Sequence, residues 1–499
     1  MDNLLHNLAI GFSVAYSLNN LFYCFVGVLI GTLVGVLPGI GPAGTIAMLL
    51  PVSFKMDATS SIIMMAGVYY GAQYGGSTTS ILLNIPGEAS SVMTCLDGYQ
   101  MARKGRAGPA LGMSAFSSFI GGTLSVAGLM LLAPLLVQVA LQFGPPEFFA
   151  LTVFALTMIA YLASGSLLKS LLMGTLGLFL STIGMDPISG ITRFTFGSIT
   201  LSDGVGLIPV AMGMYGLAEV LENLEEETRR EVYHTSLRNL LPTLKDWMDC
   251  RWAIVRGTIV GFFFGMLPGG STALPTFIVY GLEKRASRYP EKFGTGVIEG
   301  VAAPETANNA ATGSAMIPLL CLGIPANVAM AVLLGAFIIH GIQPGPLLME
   351  KYPELFWGTV ASMYIGNVML LILNLPLIGI WVQILKVPYR LLFPLIVLFC
   401  FIGTYGVNSN AYDVLIMVIF GVVGYIMKKY RYEGAPLLLA LILGPILETN
   451  FRQSLIIGDP LIFFRKPISA SLLGFAIFLL ILKPLLKIIS KSGRLLKTA

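Results

Sequence analysis

Long apolar runs alternate with short polar stretches along almost the whole chain. The runs at 21–36, 148–163, 206–221, 355–384, 391–405 and 468–486 approach or exceed the roughly 20 residues a helix needs to cross about 30 Å of hydrocarbon. No period-2 alternation runs through them, and inside hydrocarbon only helices and closed barrels satisfy the backbone. The pattern predicts an all-α integral membrane protein, a polytopic helical bundle of about 10–14 membrane segments. Composition agrees: 56% of the 499 residues are hydrophobic and 11% charged, with a mean hydropathy of +0.82, outside the range of soluble domains. The formal charge of +5 does not point to nucleic acid, because Lys and Arg gather in short loops and form no basic face. Lys55 is the first Lys or Arg, so no cleaved signal peptide is expected. Cys24, Cys95, Cys250, Cys321 and Cys400 stand singly, without the close pairs of redox or metal sites. His6, His234 and His340 are isolated too, so no transition-metal site is expected.

One charged stretch breaks the apolar character, at 222–251. It reads as a hydrophilic cytoplasmic connector between a first membrane repeat, 1–221, and a second repeat with a C-terminal helix, 252–499. Gly27, Gly31, Gly35, Pro38 and Gly39 recur with the same spacing as Gly257, Gly261, Gly265, Pro268 and Gly269. Gly67 and Gly71 answer Gly296 and Gly300, and Ile85-Pro86 answers Ile324-Pro325. Positive charge swaps sides between the repeats: Arg103, Lys104 and Arg106 have no counterpart near 340–346, whereas Lys284, Arg285, Arg288 and Lys292 face only Lys55. By the positive-inside rule the repeats are expected to be inverted, with the N-terminus outside and the 103–106 loop, Lys169, the connector, Lys386, Lys428, Lys429 and the C-terminus inside. Inverted repeats are characteristic of secondary transporters.

Polar and helix-breaking residues within the apolar zone mark the candidate site. Pro38, Gly39, Ile40, Gly41 and Pro42, with the repeat mates Pro268, Gly269, Gly270 and Ser271, precede apolar segments too short to span, which predicts re-entrant or broken helices. Their freed carbonyls make Gly39, Gly41, Gly269, Gly270 and Ser271 candidate cation ligands. Ordinary interhelical loops are the competing possibility.

A second pair of polar stretches is richer. Tyr74, Gly75, Gly76, Ser77, Thr78, Thr79 and Ser80, followed by Asn84, lie in one half, and Pro304, Glu305, Thr306, Asn308 and Asn309 in the other. Polar groups at membrane depth are costly unless they line a hydrated or protein-buried cavity. Half-helix N-termini with Ser, Thr and Asn side chains suit a substrate carboxylate, and their oxygens suit Na⁺. Helix–helix glue is the alternative for Ser77 to Ser80. Glu305, with Asn308 and Asn309 three and four positions on, is the candidate coupling carboxylate for Na⁺ or H⁺. Glu88 is a second candidate, and for both the alternative is an ion pair with Lys or Arg. Arg193 could attract an anion from outside, although a plain surface role competes, and Asp186 and Asp203 are expected to be solvated. Neither a Walker motif nor a nucleophile, base and orienter set is present, which disfavours ATP-driven transport and enzymes.

Gly35 to Pro42, Tyr74 to Glu88 and Pro304 to Ala310 together resemble the large membrane subunit of the tripartite tricarboxylate transporters, in family order and over nearly the whole chain. The resemblance implies a multi-pass protein of the bacterial cell inner membrane, working with a small membrane subunit and a periplasmic solute-binding protein. It also implies cation-coupled symport of citrate or a related carboxylate, with Na⁺ or H⁺ as coupling ion and no other cofactor. A passive anion channel built on the same broken helices, or a permease for another small organic anion, is the alternative.

Overall fold

The computed structural model describes residues 2–37, 41–163, 166–225, 240–270, 272–385, 387 and 389–495. It is mostly helical. In chain order the helices are α1 Asp2–Ala15, α2 Leu18–Val36, α3 Gly41–Ser53, α4 Ala58–Leu83, α5 Val92–Arg103, α6 Ala107–Ala140, α7 Pro145–Leu162, α8 Leu167–Ser181, α9 Leu207–Met212 and α10 Ala218–Glu225. The second half continues with α11 Leu244–Gly265, α12 Ala273–Ala286, α13 Glu299–Ser314, α14 Met316–Leu322, α15 Val328–Ile339, α16 Leu348–Lys351, α17 Pro353–Asn374, α18 Ile378–Ile384, α19 Tyr389–Asn408, α20 Ala411–Lys429, α21 Ala435–Ile457, α22 Ile462–Arg465 and α23 Pro467–Leu495. Among the described residues, six helices are long and apolar enough to cross a membrane: α2, α6, α7, α17, α20 and α21. Several shorter apolar helices, α3, α8 and α15 among them, accompany these.

The chain divides into two compact units, one of residues 1–138, 208–266 and 271–425, the other of 139–207, 267–270 and 426–499. In the larger unit, glycines decide the packing. A Cβ on Gly27, Gly31 or Gly35 of α2 would overlap in turn the carbonyl oxygens of Met64, Val68 and Ala72 on α4. Positions rise together on both helices, so α2 and α4 run parallel. The intervening segment, α3 included, therefore returns the chain along the length of the pair. Gly257, Gly261 and Gly265 of α11 meet Ala303, Ala307 and Ala311 of α13 in the same way, making a second parallel pair. Such ladders of small residues let backbones approach where the hydrophobic effect between helices is weak. Between the pairs the direction reverses. Ser77 of α4 bonds Glu305 of α13, while Ile81 and Val301 both flank Gly98 of α5, so rising numbers on α4 meet falling numbers on α13.

Neither polar stretch breaks its helix, contrary to the sequence expectation. α4 runs unbroken through 74–80, because Gly75 serves close packing against Thr32 of α2. α13 contains Pro304 without a break. The interruptions come later, at left-handed residues that each precede Ile-Pro: Asn84 with φ 57° ends α4, and Gly323 with φ 72° ends α14.

On one face of this unit Lys104 Nζ donates to Thr295 O at 2.5 Å, and Arg106 pairs with Asp246 in the first turn of α11 at 2.8 Å. Asp97 of α5 lies here too, fully buried. It accepts hydrogen bonds from Tyr280 Oη of α12 at 2.8 Å and from the backbone N–H groups of Gly294, Gly296 and Val297 at 2.8–3.1 Å.

In the smaller unit α21 packs on α7 and α8, and α23 on α7. Phe451 and Phe463 stack on each other, and Phe149 packs tilted against both. A two-stranded hairpin, β1 Gly184–Met185 and β2 Thr192–Arg193, precedes an ionic cluster. Arg193 grips Glu448 bidentately at 2.8 and 3.1 Å, and Arg452 bridges Glu448 and Asp186 at 3.2 and 2.8 Å. Arg193 and Asp186 are thus ion-paired within the fold, rather than free to meet an incoming anion or solvated. Gly269, at φ 78°, lies where a Cβ would collide with the Ile159 backbone of α7.

Candidate functional site

Glu305 is the centre of a buried polar cluster in the larger unit. It is 1% exposed, and its carboxylate accepts from hydroxyls on three other helices. Ser77 Oγ of α4 donates at 2.6 Å and Ser118 Oγ of α6 at 3.2 Å to Oε2, while Thr94 Oγ1 of α5 donates at 2.5 Å to Oε1. Among the described residues no ion pair includes Glu305. The expected alternative of a structural Lys or Arg partner is thus absent there. Each hydroxyl bond to a charged group contributes about 1.5–3 kcal/mol, but bare hydroxyls leave the charge itself uncompensated in a low-dielectric interior. A carboxylate so placed favours a proton or a bound cation.

The expected geometry of the two asparagines is altered. Asn309 Nδ2 donates to the Glu305 backbone carbonyl at 3.2 Å, one helical turn back, and does not reach the carboxylate. Asn308 is 1% exposed, and both ends of its carboxamide lack a hydrogen-bond partner. An unmet buried amide costs about 1–3 kcal/mol, so this side chain is spare ligand-binding capacity. Thr306 Oγ1 turns back to Ala302 O at 2.7 Å.

The remaining α4 candidates divide by role. Thr79 Oγ1 ties α4 to Val36 O of α2 at 2.8 Å. Ser80 Oγ lies 2.9 Å from both Gly76 O and Ser91 Oγ, either of which can take its single proton. Gly75 and Gly76 permit close approach of α2 and of Glu88, respectively, and Thr78 is buried. Asn84 is exposed at the α4 C-cap, away from the buried cluster. Glu88 keeps one buried carboxylate oxygen without a partner. Of the backbone candidates, Gly41 opens α3 at φ 64°. Gly269 and Gly270 belong to the smaller unit, and Gly39 and Ser271 lie outside the described residues.

Two residues of the carboxylate cage, Thr94 and Ser118, lie outside the polar motifs. Ser118 had a faint signal, since Ser114, Ser117, Ser118 and Gly121 share one face of an otherwise apolar helix. Thr94 had none, because its partner lies 211 residues away. Among the described residues no group of His, Cys, Asp and Glu could hold a metal ion.

Residues 21–439 match the model of the tripartite tricarboxylate transporter TctA family. Over 496 residues, 99% of either chain, the protein is 50% identical to an uncharacterised 52.8 kDa protein from the TAR-I ttuC′ 3′ region of Agrobacterium vitis. Over 233 residues it is 52% identical to an uncharacterised protein from the TAR-II ttuC′ 3′ region of the same organism, covering 46% of this chain and 96% of that one. No solved structure matches the chain.

Proposed function

The chain belongs to the tripartite tricarboxylate transporter TctA family, a transporter and not an enzyme family, and from that premise we propose that it is the translocating subunit for citrate or a related carboxylate. It works by cation-coupled symport, driven by Na⁺ or H⁺, in the bacterial inner membrane. A periplasmic binding protein delivers the substrate, and a small membrane subunit completes the assembly. The carrying observation is Glu305, buried between antiparallel α4 and α13 in a cage of hydroxyls with no basic partner among the described residues. A cation or proton there neutralises the carboxylate, and the substrate engages the unmatched Asn308 amide beside it. Alternating access follows from treating the two glycine-laddered pairs as inverted repeats that exchange conformations. The antiparallel run of α4 and α13 supports that reading.

The experiment is uptake of labelled citrate by the reconstituted membrane subunits with their binding protein, under separately imposed Na⁺ and proton gradients. Glu305→Gln keeps the shape and removes the charge, so it is expected to abolish gradient-driven uptake while the protein stays folded and inserted. Normal uptake by a stable Glu305→Gln protein removes the coupling role. Citrate flux indifferent to every cation gradient favours the passive channel.

A further inference from the structure

A second polar feature lies on α13 one turn beyond Glu305. Asn309, Asn367 of α17, Tyr70 of α4 and Gly122 of α6 enclose a cavity of about 10 Å³, with Val126 and Met363 as its apolar wall. That is room for about one water-sized occupant. The two carboxamides are only 2% and 4% exposed. Glycines keep the space open. A Cβ at Gly122 would fall 2.7 Å from Asn367 Nδ2 and 2.9 Å from Oδ1, and one at Gly313, also in the lining, would overlap Ser125 Oγ.

The donor set fixes the class of occupant. Asn309 commits its N–H to the Glu305 carbonyl, leaving its oxygen as the free end of the amide. Asn367 Oδ1 receives only a long 3.5 Å contact from Tyr74 Oη. Gly122 O is already filled by the Val126 N–H within α6 and by Ser125 Oγ at 2.8 Å, so Gly122 shapes the cavity without offering it a lone pair. With the Tyr70 hydroxyl, the available oxygens are hard and neutral. Divalent ions take carboxylates or several retained waters, and the cavity is lined by no carboxylate. Glu305, four residues back on the same helix, supplies a single negative charge nearby.

The geometry points to a site for one dehydrated Na⁺ ion, held by the Asn309 and Asn367 carboxamide oxygens with the Tyr70 hydroxyl, and charge-balanced by Glu305. It rests on the cation-coupled reading above and selects Na⁺ within it. Asn367 and Tyr70 enter as ligands outside both polar motifs.

Binding can be read without transport, on the purified full chain, as the melting temperature in NaCl against choline chloride at equal ionic strength. A saturable Na⁺-specific rise is expected in the native protein. Asn367→Ala should weaken the apparent Na⁺ affinity at least tenfold, and Gly122→Ala, which pushes a methyl against the Asn367 amide, should do the same. Asn367→Asp keeps the oxygen and should retain the Na⁺ response, which separates ligation from misfolding. An unchanged response in Asn367→Ala overturns the site, and no Na⁺-specific rise in the native protein gives the cavity to a water. Cation-driven uptake that ignores Asn367→Ala sinks this site alone, whereas uptake that ignores all cation gradients sinks the coupling reading.

Discussion

At the scale of single residues, buried carboxylates are handled in contrasting ways. Asp97 receives backbone N–H groups and a tyrosine hydroxyl, so it is a fixed tie between α5, α12 and the turn before α13. Asp97→Asn keeps the size and replaces an acceptor oxygen with a donor facing other donors. The expected result is a loss of about 1.5–3 kcal/mol per forfeited charged bond, seen as a lower melting temperature with Glu305 chemistry intact. Asp186 is held well below the usual carboxylate range by the Ser189 hydroxyl, then by the Arg452 guanidinium and the Ile188 N–H. A depressed folded-state value stabilises the protein at pH above the unfolded value of about 3.9, and the benefit is lost as pH falls through the folded value. Melting measured from about pH 6 down to about pH 2 should show a steeper acid loss in the native protein than in Asp186→Asn, most of it below about pH 4. Glu305 was legible in the sequence because a carboxylate between a proline and two asparagines at membrane depth is too costly to keep without a use. Its cage was not, since Ser77, Thr94 and Ser118 come from three helices joined only by tertiary packing.

Among elements, the glycine ladders are the main determinants. The repeat spacing of Gly27, Gly31 and Gly35 with Gly257, Gly261 and Gly265 could be read from the sequence, but not that each faces a backbone carbonyl on the second helix after it. Gly31→Ala must part α2 from α4, and overpacking of this kind costs about 1–3 kcal/mol. Gly174 of α8 has open space where a Cβ would go, so Gly174→Ala should be neutral or stabilise slightly through helix propensity. Comparing thermal stability of the two variants tests whether packing, rather than glycine content, is what matters. The helix interruptions expected at 38–42 and 268–271 fall where α2 gives way to the short α3 and α11 to the short α12, whereas the half-helix ends expected at the two polar stretches are absent. Gly75 and Gly76 serve close contact with α2 and Glu88 inside a continuous helix, while Asn84 and Gly323 take the left-handed turn.

For the whole molecule, the swapped charge bias predicts a topology with the N-terminus outside, and the 103–106 loop, the 222–251 connector and the C-terminus inside. The bonds from Lys104 to Thr295 and from Arg106 to Asp246 support one part of it, since they gather the first-half basic loop, the start of α11 and the turn before α13 on a single face. Single cysteines at Lys104 and Lys292 should both resist a membrane-impermeant reagent applied to whole cells, and a cysteine at Lys55 should react. Labelling of the first two from outside would dismantle the inverted arrangement. The membrane class was plain from hydropathy. The division into compact units was not, because residues 139–207 and 426–499 share a unit through α7, α8, α21 and α23, with nothing in their local composition to pair them.

The antiparallel junction of α4 and α13 also bears on how the protein is made. The Ser77 hydroxyl finds its carboxylate 228 residues later, and α4 is not among the helices apolar enough to cross by composition. If α4 enters the bilayer beside α2 during synthesis, its Ser77 hydroxyl lacks its carboxylate partner until α13 has been made. Nascent chains truncated before residue 299 should therefore be shorter-lived in the cell than chains ending after α14, a difference that pulse-chase labelling would register.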